Sequence, residues 1–497
     1  MSGPFFLCFS KSAHSFATLC AMTTQRDTGL MVAFTASALL LRLWAINADL
    51  WLDEIMTVVD YMRLPPFEAA TVFQSANQHL LNSVLGSVSI RIFGEAVWAV
   101  RLPALLFGVA TVPVFFLLAK AVTERREAIL ATLFLTLSYH HVWFSQNARG
   151  YSAMIFFTVL STLFLVRWLN NPANGGRLNW LWFSLCGCLG MLSLLNYVFV
   201  LVGQFLVALI VLGNNRDWSG IRLLIVCGVL VVALTVFGYA ATLPAMFSYF
   251  FSTGGEEANL QASVDFANMA ASGLTRGLPG MALLFLAIGG ITASTGWISY
   301  LKRQYLIAWM LVVPAVVNII TLDYLDWSGY PRSFLYVLPF GILILMRGAF
   351  VPGGWFVRRF QTDVRLVYIL PLLLLTASVV TLPYNYRYPK MDYTGSLAYV
   401  REQAAPDDII AVVGFLVYGY EYYYGPDLAF PQTAGALHAL RGPEHRVWVL
   451  YSLTGAMRRQ FPDIQVYLDT EFQLRHKFKG TLGDGDVYLT VSPEPAE

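Results

Sequence analysis

The sequence predicts an all-α polytopic membrane domain followed by a small C-terminal α/β domain. Of its 497 residues, 57% are hydrophobic and only 12% are charged, with a mean hydropathy of +0.59. Soluble domains carry about 25% charged residues, so most of this chain is predicted to lie in lipid. From about residue 384 acidic and turn residues return, which indicates a water-exposed domain.

Eleven apolar runs are long enough to cross about 30 Å of hydrocarbon. They lie at 29–46, 99–119, 128–144, 150–168, 180–195, 197–212, 222–243, 277–294, 305–322, 332–347 and 366–383. Lys and Arg concentrate on alternate connections, so the positive-inside rule predicts a cytoplasmic N-terminus. The predicted domains are a cytoplasmic leader at 1–28, a transmembrane catalytic domain at 29–383 and an extracytoplasmic domain at 384–497.

The C-terminal segment mixes two periodicities. Short β-rich runs at 408–413, 446–450 and 486–491 alternate with a helical pattern at 395–403, which is typical of a small α/β domain. No basic run in the chain suggests nucleic acid as a partner. The five cysteines lie near the N-terminus or in apolar runs and are interpreted as packing residues, not as a zinc site or a disulfide framework.

The loop at 47–98, predicted to lie outside the membrane, is unusually rich in charge. Its segment 53–63 and its segment 79–93 both show apolar residues at helical spacing, and Pro65 and Pro66 separate them. The second segment is predicted to be an amphipathic helix in the membrane interface. We interpret this loop as the floor of an active site.

Adjacent acidic residues, Asp53 and Glu54, are the first candidates for catalysis. Side chains one residue apart on a helix diverge by about 100°, so these two cannot face each other as an acid/base pair. One can enter a cavity as a general base while the other orients a substrate or contacts a basic group. The alternative is an ordinary helix start, where acidic residues are favoured.

Three arginines stand at predicted outer membrane boundaries: Arg101, Arg149 and Arg332. A guanidinium binds phosphate through two parallel N–H groups, so these residues are candidate ligands for a lipid phosphate. The alternative for each is snorkelling at a helix end. Arg42, near the outer end of the first run, is predicted to pair with an acidic residue because an unpaired charge in lipid is costly.

Histidines also lie on this face: His79, His140 and His141. A three-histidine metal site is conceivable, but polar capping at the interface is the favoured interpretation. No phosphate-binding glycine loop, dinucleotide fingerprint, HExxH motif or nucleophile elbow occurs in the sequence. Nucleotide-dependent chemistry is therefore unsupported. No metal site is predicted, and a divalent cation is left open as a cofactor.

Taken in order, the motifs resemble the polytopic glycosyltransferases of the GT-C fold that use lipid-linked sugars. The similarity is greatest to the bacterial branch of protein O-mannosyltransferase-like and aminoarabinose-transferase-like (Rgt-type) enzymes. The matching segments are LWLDE (50–54), NQHLLNS (77–83), RLPALLFGVATVPVFFLLAK (101–120), YHHVWFSQNARGYSAMIFFTVLSTLFL (139–165), YPRSFLYVLPF (330–340) and MDYTGSLAYVREQAAPDDIIAVV (391–413).

The resemblance implies inverting transfer of a sugar from a polyprenyl-phosphate donor to an acceptor hydroxyl at the extracytoplasmic face of the inner membrane. It implies Asp53 as the general base with Glu54 in support. It also implies Arg101, Arg149 and Arg332 as partners of the donor phosphate. The residues implied to bind substrate are His79, Gln146 and Tyr151.

Two departures from the family pattern stand out. Leu80 and Leu81 follow His79 where the family often has two prolines, and Asn147 stands where glutamate is usual. The partners implied are the lipid-linked donor, a lipid, glycan or protein acceptor, and membrane lipids. The alternative functions are a transporter or flippase for an amphiphile, or an inactive relative of the same fold.

Overall fold

The computed structural model describes residues 25–170, 178–252, 260–276, 280, 282–324, 330–425, 427–442 and 444–494. Residues 1–24 of the predicted leader, parts of the predicted loops 244–275 and 323–331, and the start of the predicted run 277–294 lie outside these ranges. The remainder of the predicted leader, residues 25–28, already belongs to the first helix.

The membrane part of the chain is helical. Its helices are α1 (Gln25–Leu43), α2 (Leu52–Thr57), α3 (Pro66–Thr71), α4 (Leu80–Phe93), α5 (Val97–Val122), α6 (Arg125–Leu137), α7 (Tyr139–Ser145), α8 (Tyr151–Asn170), α9 (Asn179–Ser193), α10 (Tyr197–Asn214), α11 (Trp218–Tyr239), α12 (Leu243–Ser252), α13 (Leu260–Leu274), α14 (Ala282–Arg303), α15 (Tyr305–Tyr324), α16 (Leu338–Phe360) and α17 (Ile369–Arg387). A π-helical turn at Val58–Met62 continues α2, and 3₁₀ turns at Pro331–Val337 and Val364–Tyr368 lead into α16 and α17.

Eight helices in the described part of the chain are long and apolar enough to cross a membrane. The protein is therefore a multi-pass membrane protein, as predicted. A helix also overlaps each of the eleven predicted runs, but the number eleven stays a prediction. The predicted run 128–144 is not one helix, because Ser138 adopts an extended backbone and its hydroxyl caps α7 by accepting from the His141 N–H.

The first outer loop folds into three short helices, α2 to α4. The periodicity predicted α2 and α4, whereas α3 was not predicted. Buried positions of α4 are mostly small and polar, among them Asn82, Ser83 and Ser87, whereas Ile92 and Phe93 are exposed. A helix with its polar side against protein and its apolar side outward suits contact with lipid. This arrangement holds the loop against the helical bundle.

The C-terminal segment forms a four-stranded sheet with flanking helices. Its elements are α18 (Tyr393–Gln403), β1 (Ile409–Val412), α19 (Leu416–Gly419), α20 (Ala434–Ala439), β2 (Val447–Tyr451), α21 (Thr454–Gln460), α22 (Pro462–Glu471), β3 (Gln473–Phe478) and β4 (Val487–Val491), with a π-helical turn at Tyr420–Tyr424. The strand order is β1-β2-β4-β3, with β1 and β2 parallel and the other pairs antiparallel. Sequence patterning missed β3 because this edge strand is polar and largely exposed.

The C-terminal segment contacts the first outer loop at several residues, including two that lie close to the start of α2. The backbone N–H of Thr394 donates to the Asp49 carboxylate at 2.7 Å, and the Leu50 N–H donates to the Tyr424 hydroxyl at 2.7 Å. Asp49 and Leu50 stand directly before Trp51, the residue that precedes α2. The C-terminal segment thus helps to fix where α2 begins.

Candidate active site

Asp53 and Glu54 occupy the first turn of α2, which starts after the extended residue Trp51. The Glu54 side chain is fully buried, whereas the Asp53 side chain is 16% exposed. The two carboxylates contact different sets of cations, in keeping with the divergence expected for neighbours on a helix. One sequence motif therefore supplies two separate electrostatic environments.

Glu54 is held by protein groups on every side. Its carboxylate accepts from the Arg101 Nε and Nη2 atoms at 2.8 Å each and from the Ala148 N–H at 2.7 Å. Lys390 lies 3.4 Å from the same carboxylate. Burial alone would raise the pKa of Glu54, but the Arg101 and Lys390 charges and these hydrogen bonds lower it to about 2. Glu54 is therefore an anion that organises the loop.

Arg101 is saturated by the protein. Its remaining N–H groups donate to the backbone oxygens of Ile46, Ala48 and Asp49 at 2.7 to 2.9 Å. A guanidinium has five N–H donors, and all five are used here. The structure therefore argues against the predicted contact between Arg101 and a donor phosphate, and it gives this residue a positioning role through Glu54.

Asp53 forms ion pairs with the other two predicted arginines. Its Oδ2 atom lies 3.3 Å from Arg332 Nη1 and 3.6 Å from Arg149 Nη2. Arg332 approaches from the start of the 3₁₀ turn before α16, and its guanidinium stacks over the rings of Trp51 and Tyr330. The Arg332 side chain is 33% exposed, so a ligand can reach this cluster from solvent or lipid.

Arg149 is buried, yet it is incompletely paired. It donates to the backbone oxygen of Asn77 at 3.1 Å, also contacts the Asn77 amide oxygen, and lies over the Tyr151 ring. Its Nε atom has no hydrogen-bond partner among the described residues. Leaving a buried charged donor unpaired is costly, so this guanidinium is suited to bind an anionic ligand by donating to it.

The side chain of Asn147, beside the same cluster, also has a buried donor without a hydrogen-bond partner among the described residues. Its side-chain oxygen accepts from the Trp51 indole N–H at 3.3 Å, whereas its Nδ2 atom is buried without a partner in the described part of the chain. The family pattern would place a carboxylate at this position. Asparagine therefore supplies a neutral amide at this position, close to the carboxylates of Asp53 and Glu54.

His79 is neutral and its orientation is fixed. Its Nδ1 atom accepts from the Gly150 N–H at 2.6 Å, and its ring meets Tyr151 edge-on at 5.5 Å. Burial lowers the pKa of His79 well below its ordinary value, and the nearby Arg149 and Arg332 charges lower it further. Since Nδ1 accepts, the ring proton is on Nε2. His79 and Tyr151 therefore support Arg149, and their predicted contact with substrate stays a prediction.

Both ends of the Gln146 side-chain amide are engaged by hydrogen bonds within the protein. Its Nε2 atom donates to the backbone oxygens of Arg42 and Trp44, and its Oε1 atom accepts from Asn385 at 3.0 Å. No side-chain group is left for a substrate, so the geometry argues against the predicted role in substrate binding. Its position links α1, α7 and α17.

Arg42 corrects another prediction. It was expected to pair with an acidic residue, but it contacts the His141 Nδ1 atom at 2.6 Å, the Ser145 hydroxyl at 3.1 Å and the Ala38 carbonyl oxygen at 3.0 Å. Neutral acceptors from α1 and α7 thus satisfy the buried guanidinium. His141 is committed to this contact, away from His79.

No group of three or more His, Cys, Asp or Glu residues that could hold a metal ion occurs in the described ranges. The three outer histidines are therefore dispersed: His79 contacts Gly150, His141 contacts Arg42, and the ring of His140 packs against that of Tyr139. A divalent cation as cofactor stays an open alternative, as in the sequence analysis.

Lys390 is a site residue that sequence reasoning missed. It is buried between the Glu54 carboxylate and the backbone oxygen of Gln146, and its ammonium lies 5.1 Å from the centre of the Trp143 ring. Burial and the Arg101 charge lower the pKa of Lys390 to about 7, although Glu54 opposes this shift. Its only signal in the sequence is its place just before the matching segment 391–413.

Comparisons with known proteins identify the fold. Residues 81–239 match the family model described as dolichyl-phosphate-mannose-protein mannosyltransferase, which covers less than half of the chain. The ArnT structure from Cupriavidus metallidurans in the apo state superposes with a TM-score of 0.55 at 14% identity, covering 94% of this chain and 98% of that one. The chain has the GT-C fold.

Two further structures share this fold. ArnT from Cupriavidus metallidurans bound to undecaprenyl phosphate matches with a TM-score of 0.50 at 14% identity, covering 93% of this chain and 98% of that one. The apo oligosaccharyltransferase of Archaeoglobus fulgidus matches with a TM-score of 0.51 at 11% identity, covering 90% and 73%. No curated protein sequence matches the chain.

The fold and the family match together support the resemblance read from the sequence, which was to GT-C glycosyltransferases that use lipid-linked sugars. They do not favour the alternative of a transporter or flippase. The predicted roles of individual site residues are not tested by these comparisons, because identities of 11 to 14% establish the fold alone.

Proposed function

We propose that this protein is an integral-membrane glycosyltransferase that moves a sugar from a polyprenyl-phosphate donor to an acceptor hydroxyl with inversion. The observation that carries the proposal is the contact of one partly exposed carboxylate, Asp53, with two guanidinium groups, Arg149 and Arg332. A base and two phosphate-binding cations are the groups that this reaction needs. The fold shared with ArnT supports the same reaction class.

The charge balance of this cluster explains how it can receive a phosphate. Two cations share one carboxylate, which leaves about one positive charge beside an entrance. Arg149 also has a free Nε donor among the described residues. An entering phosphate is attracted to the excess charge, and Arg149 and Arg332 bind it through paired N–H groups. In the donor complex, the two arginines then share their donors between the phosphate and Asp53.

The chemical step follows from this arrangement. The acceptor oxygen attacks the anomeric carbon on the face opposite the phosphate, and the bond from that carbon to the phosphate oxygen breaks. Asp53 takes the proton of the acceptor hydroxyl as the new glycosidic bond forms. Polyprenyl phosphate leaves with the bonding electron pair, and the arginines stabilise its charge. A phosphate is a good leaving group, so no general acid is required.

Glu54, Arg101 and Lys390 support this step by positioning Asp53, without contacting the substrate. Their mutual contacts lock the first turn of α2 to the start of α5 and to the chain after α17. Because Asp53 belongs to that same turn, these contacts also fix the position of its carboxylate relative to the membrane helices. Pre-set geometry of this kind lowers the entropic cost of reaching the transition state.

A sugar linked to polyprenyl phosphate is the donor that the shared fold favours. ArnT from Cupriavidus metallidurans, which has this fold, was solved with undecaprenyl phosphate bound. The matching family model is named for enzymes that use dolichyl-phosphate mannose. By the positive-inside rule, the Asp53 cluster and the domain after α17 face the extracytoplasmic side of the inner membrane. The acceptor there is a lipid, a glycan or a protein.

Donor turnover tests this proposal directly. The full chain purified in detergent is supplied with a panel of radiolabelled polyprenyl-phosphate sugars and a membrane extract as acceptor, and the release of polyprenyl phosphate is measured. We expect one donor to be turned over by the wild type, and Asp53→Asn to reduce the rate by about 10² to 10⁴-fold. The matched control is Glu68→Gln, because Glu68 is an exposed carboxylate of the same loop.

Melting temperature is recorded for each variant to separate catalysis from folding. Loss of turnover in Asp53→Asn at an unchanged melting temperature would support the proposal. Full activity in Asp53→Asn would remove Asp53 as the base. Absence of turnover of every donor by a folded wild-type protein would count against a transferase.

A further inference from the structure

A charged cavity lies at the end of the helical bundle opposite the Asp53 cluster. It has a volume of about 570 Å³ and lies between the last turns of α14, the second half of α16, the start of α6 and the 3₁₀ turn before α17. Four cationic side chains line it, Lys302, Arg303, Arg347 and Arg358, together with the two acids Glu124 and Glu127. Its lining therefore carries an excess of positive charge.

Two helices show that this cavity is far from the candidate active site. Arg332 contacts Asp53, and Arg347 follows fifteen residues later on the continuing helix, which corresponds to at least about 22 Å at 1.5 Å per residue. On α5, Arg101 binds Glu54 near the start, whereas Lys120 binds Asp27 at 2.5 Å near the end. The cavity therefore faces the other leaflet of the membrane.

A close helix crossing shapes the cavity. A Cβ atom at Gly296 of α14 would lie 1.9 Å from the Ile344 carbonyl oxygen, and one at Gly348 of α16 would lie 1.8 Å from the Thr292 carbonyl oxygen. Only glycine permits this contact between backbones. Beyond the crossing, Lys302 of α14 and Arg358 of α16 both line the cavity. The cavity is thus pre-formed.

The cations divide into a paired group and an available group. Arg347 contacts the Glu127 carboxylate and donates to the Ser299 hydroxyl at 3.0 Å. Lys302, Arg303 and Arg358 are exposed, and in the described part of the chain none of them forms an ion pair. Three free cations around one opening are more than snorkelling at isolated helix ends requires.

We propose that this cavity binds the phosphate headgroup of an anionic phospholipid from that leaflet. Basic pockets between membrane helices bind lipid headgroups in this way. The cavity also has apolar walls from Ile298, Phe350, Val351 and Val367, which suit the glycerol and the upper acyl carbons better than a free phosphate ion. The inference does not depend on the reaction at Asp53.

Lipid binding by the purified full chain tests the proposal. Fluorescent phosphatidylglycerol is titrated against the protein in a neutral detergent, with phosphatidylcholine as the zwitterionic comparison and inorganic phosphate as competitor. We expect the wild type to prefer phosphatidylglycerol. The double variant Lys302→Gln/Arg358→Gln should weaken its binding by roughly 25-fold. The matched control is Arg359→Gln, one residue from Arg358 and not part of the lining, and it should bind as the wild type does.

The outcomes separate lipid from ion. Displacement of the lipid by inorganic phosphate at comparable concentration would overturn the assignment to a lipid. Equal binding of phosphatidylcholine, or equal loss in Arg359→Gln, would overturn the site itself. If the double variant does not elute as a folded protein in size-exclusion chromatography, Arg303→Gln alone replaces it, with a smaller loss of roughly fivefold.

Discussion

Glu54 and Arg101 face each other through two hydrogen bonds of 2.8 Å, and neither side chain is more than 1% exposed. This pair joins α2 of the first outer loop to α5. Arg101 was predicted to bind the donor phosphate and Glu54 to support Asp53. Protein groups saturate both side chains, so we assign the pair a positioning role. Asp53, one residue away, keeps the partly open arrangement that a reaction needs.

Glu54→Gln is expected to destabilise the protein strongly. It removes the charge that compensates Arg101, and breaking a buried ion pair by neutralising one partner costs about 3 to 5 kcal/mol. The free energy of unfolding, or the melting temperature in detergent, measures this loss. Glu68→Gln serves as control because Glu68 is exposed. Equal melting temperatures for the two variants would contradict the positioning role of Glu54.

The stability that the Glu54–Arg101 ion pair contributes should be lost in acid. The pKa of Glu54 is about 2 in the folded protein against an ordinary value of 4.5. Its stabilising contribution is therefore present above pH 4.5 and is lost as the pH falls toward 2. Melting temperatures of wild type and Glu54→Gln are expected to converge over this range. A constant difference down to the lowest pH would show that the ion pair is not responsible.

Lys390 predicts a pH dependence at neutral and mildly basic pH. Its pKa falls to about 7 on folding from an ordinary 10.5, so between these values the unfolded chain binds a proton that the folded protein lacks. Unfolding free energy therefore rises with pH between about 7 and 10.5, and this contribution no longer changes with pH below 7. Lys390→Met should flatten this part of the profile of melting temperature against pH.

The control for Lys390 is Lys479→Met, because Lys479 is an exposed lysine of the same C-terminal segment. This variant should keep the wild-type slope. A Lys390→Met profile with an unchanged slope would show that Lys390 keeps its ordinary pKa in the folded protein.

Arg332→Gln is expected to impair donor use without harming stability. Hydrogen bonds to charged groups contribute about 1.5 to 3 kcal/mol, so kcat/KM for the donor should fall by about ten- to a hundredfold. Arg332→Lys should lie in between, because an ammonium lacks the two parallel donors of a guanidinium. Steady-state kinetics and product inhibition by polyprenyl phosphate measure the effect.

Arg63→Gln is the control for Arg332, since Arg63 forms an exposed ion pair with Glu95 in the same loop and such pairs contribute little. Unchanged kcat/KM and product inhibition in Arg332→Gln would remove Arg332 from the phosphate site.

Gly150→Ala should disable the site through packing. A Cβ atom at this position would lie 1.9 Å from the Ser193 backbone oxygen and 3.2 Å from the His79 Cβ, so α8 and α9 would have to separate. We expect a lower melting temperature and loss of donor turnover. Gly213→Ala, with open space around its position in α10, should be neutral or slightly stabilising. Similar behaviour of the two variants would contradict this account.

The sequence by itself determined the membrane class, the helical segments and most of the sheet. These features depend on composition and local periodicity, which a single chain displays directly. The amphipathic character of residues 79–93 and the strands at 408–413, 446–450 and 486–491 were predicted for this reason and are present. The break at Ser138 was missed because the apolar run continues through it.

The site was predictable only in part. Neighbouring positions on a helix diverge, so the separation of Asp53 from Glu54 followed from sequence, and arginines at membrane boundaries were sound candidates for an anion site. Arg149 and Arg332 do meet at Asp53. Lys390, 336 residues after Glu54 along the chain, carries no local signal that it reaches that carboxylate.

Only the tertiary structure decided which candidate side chains are already occupied. Arg101 and Arg332 look alike in sequence, yet the first has all five N–H groups bound by the protein while the second is one-third exposed. Gln146, likewise, is consumed by contacts to α1 and α17. Hydrogen-bond capacity is a property of three-dimensional neighbours, because each donor is satisfied by whichever segment packs against it.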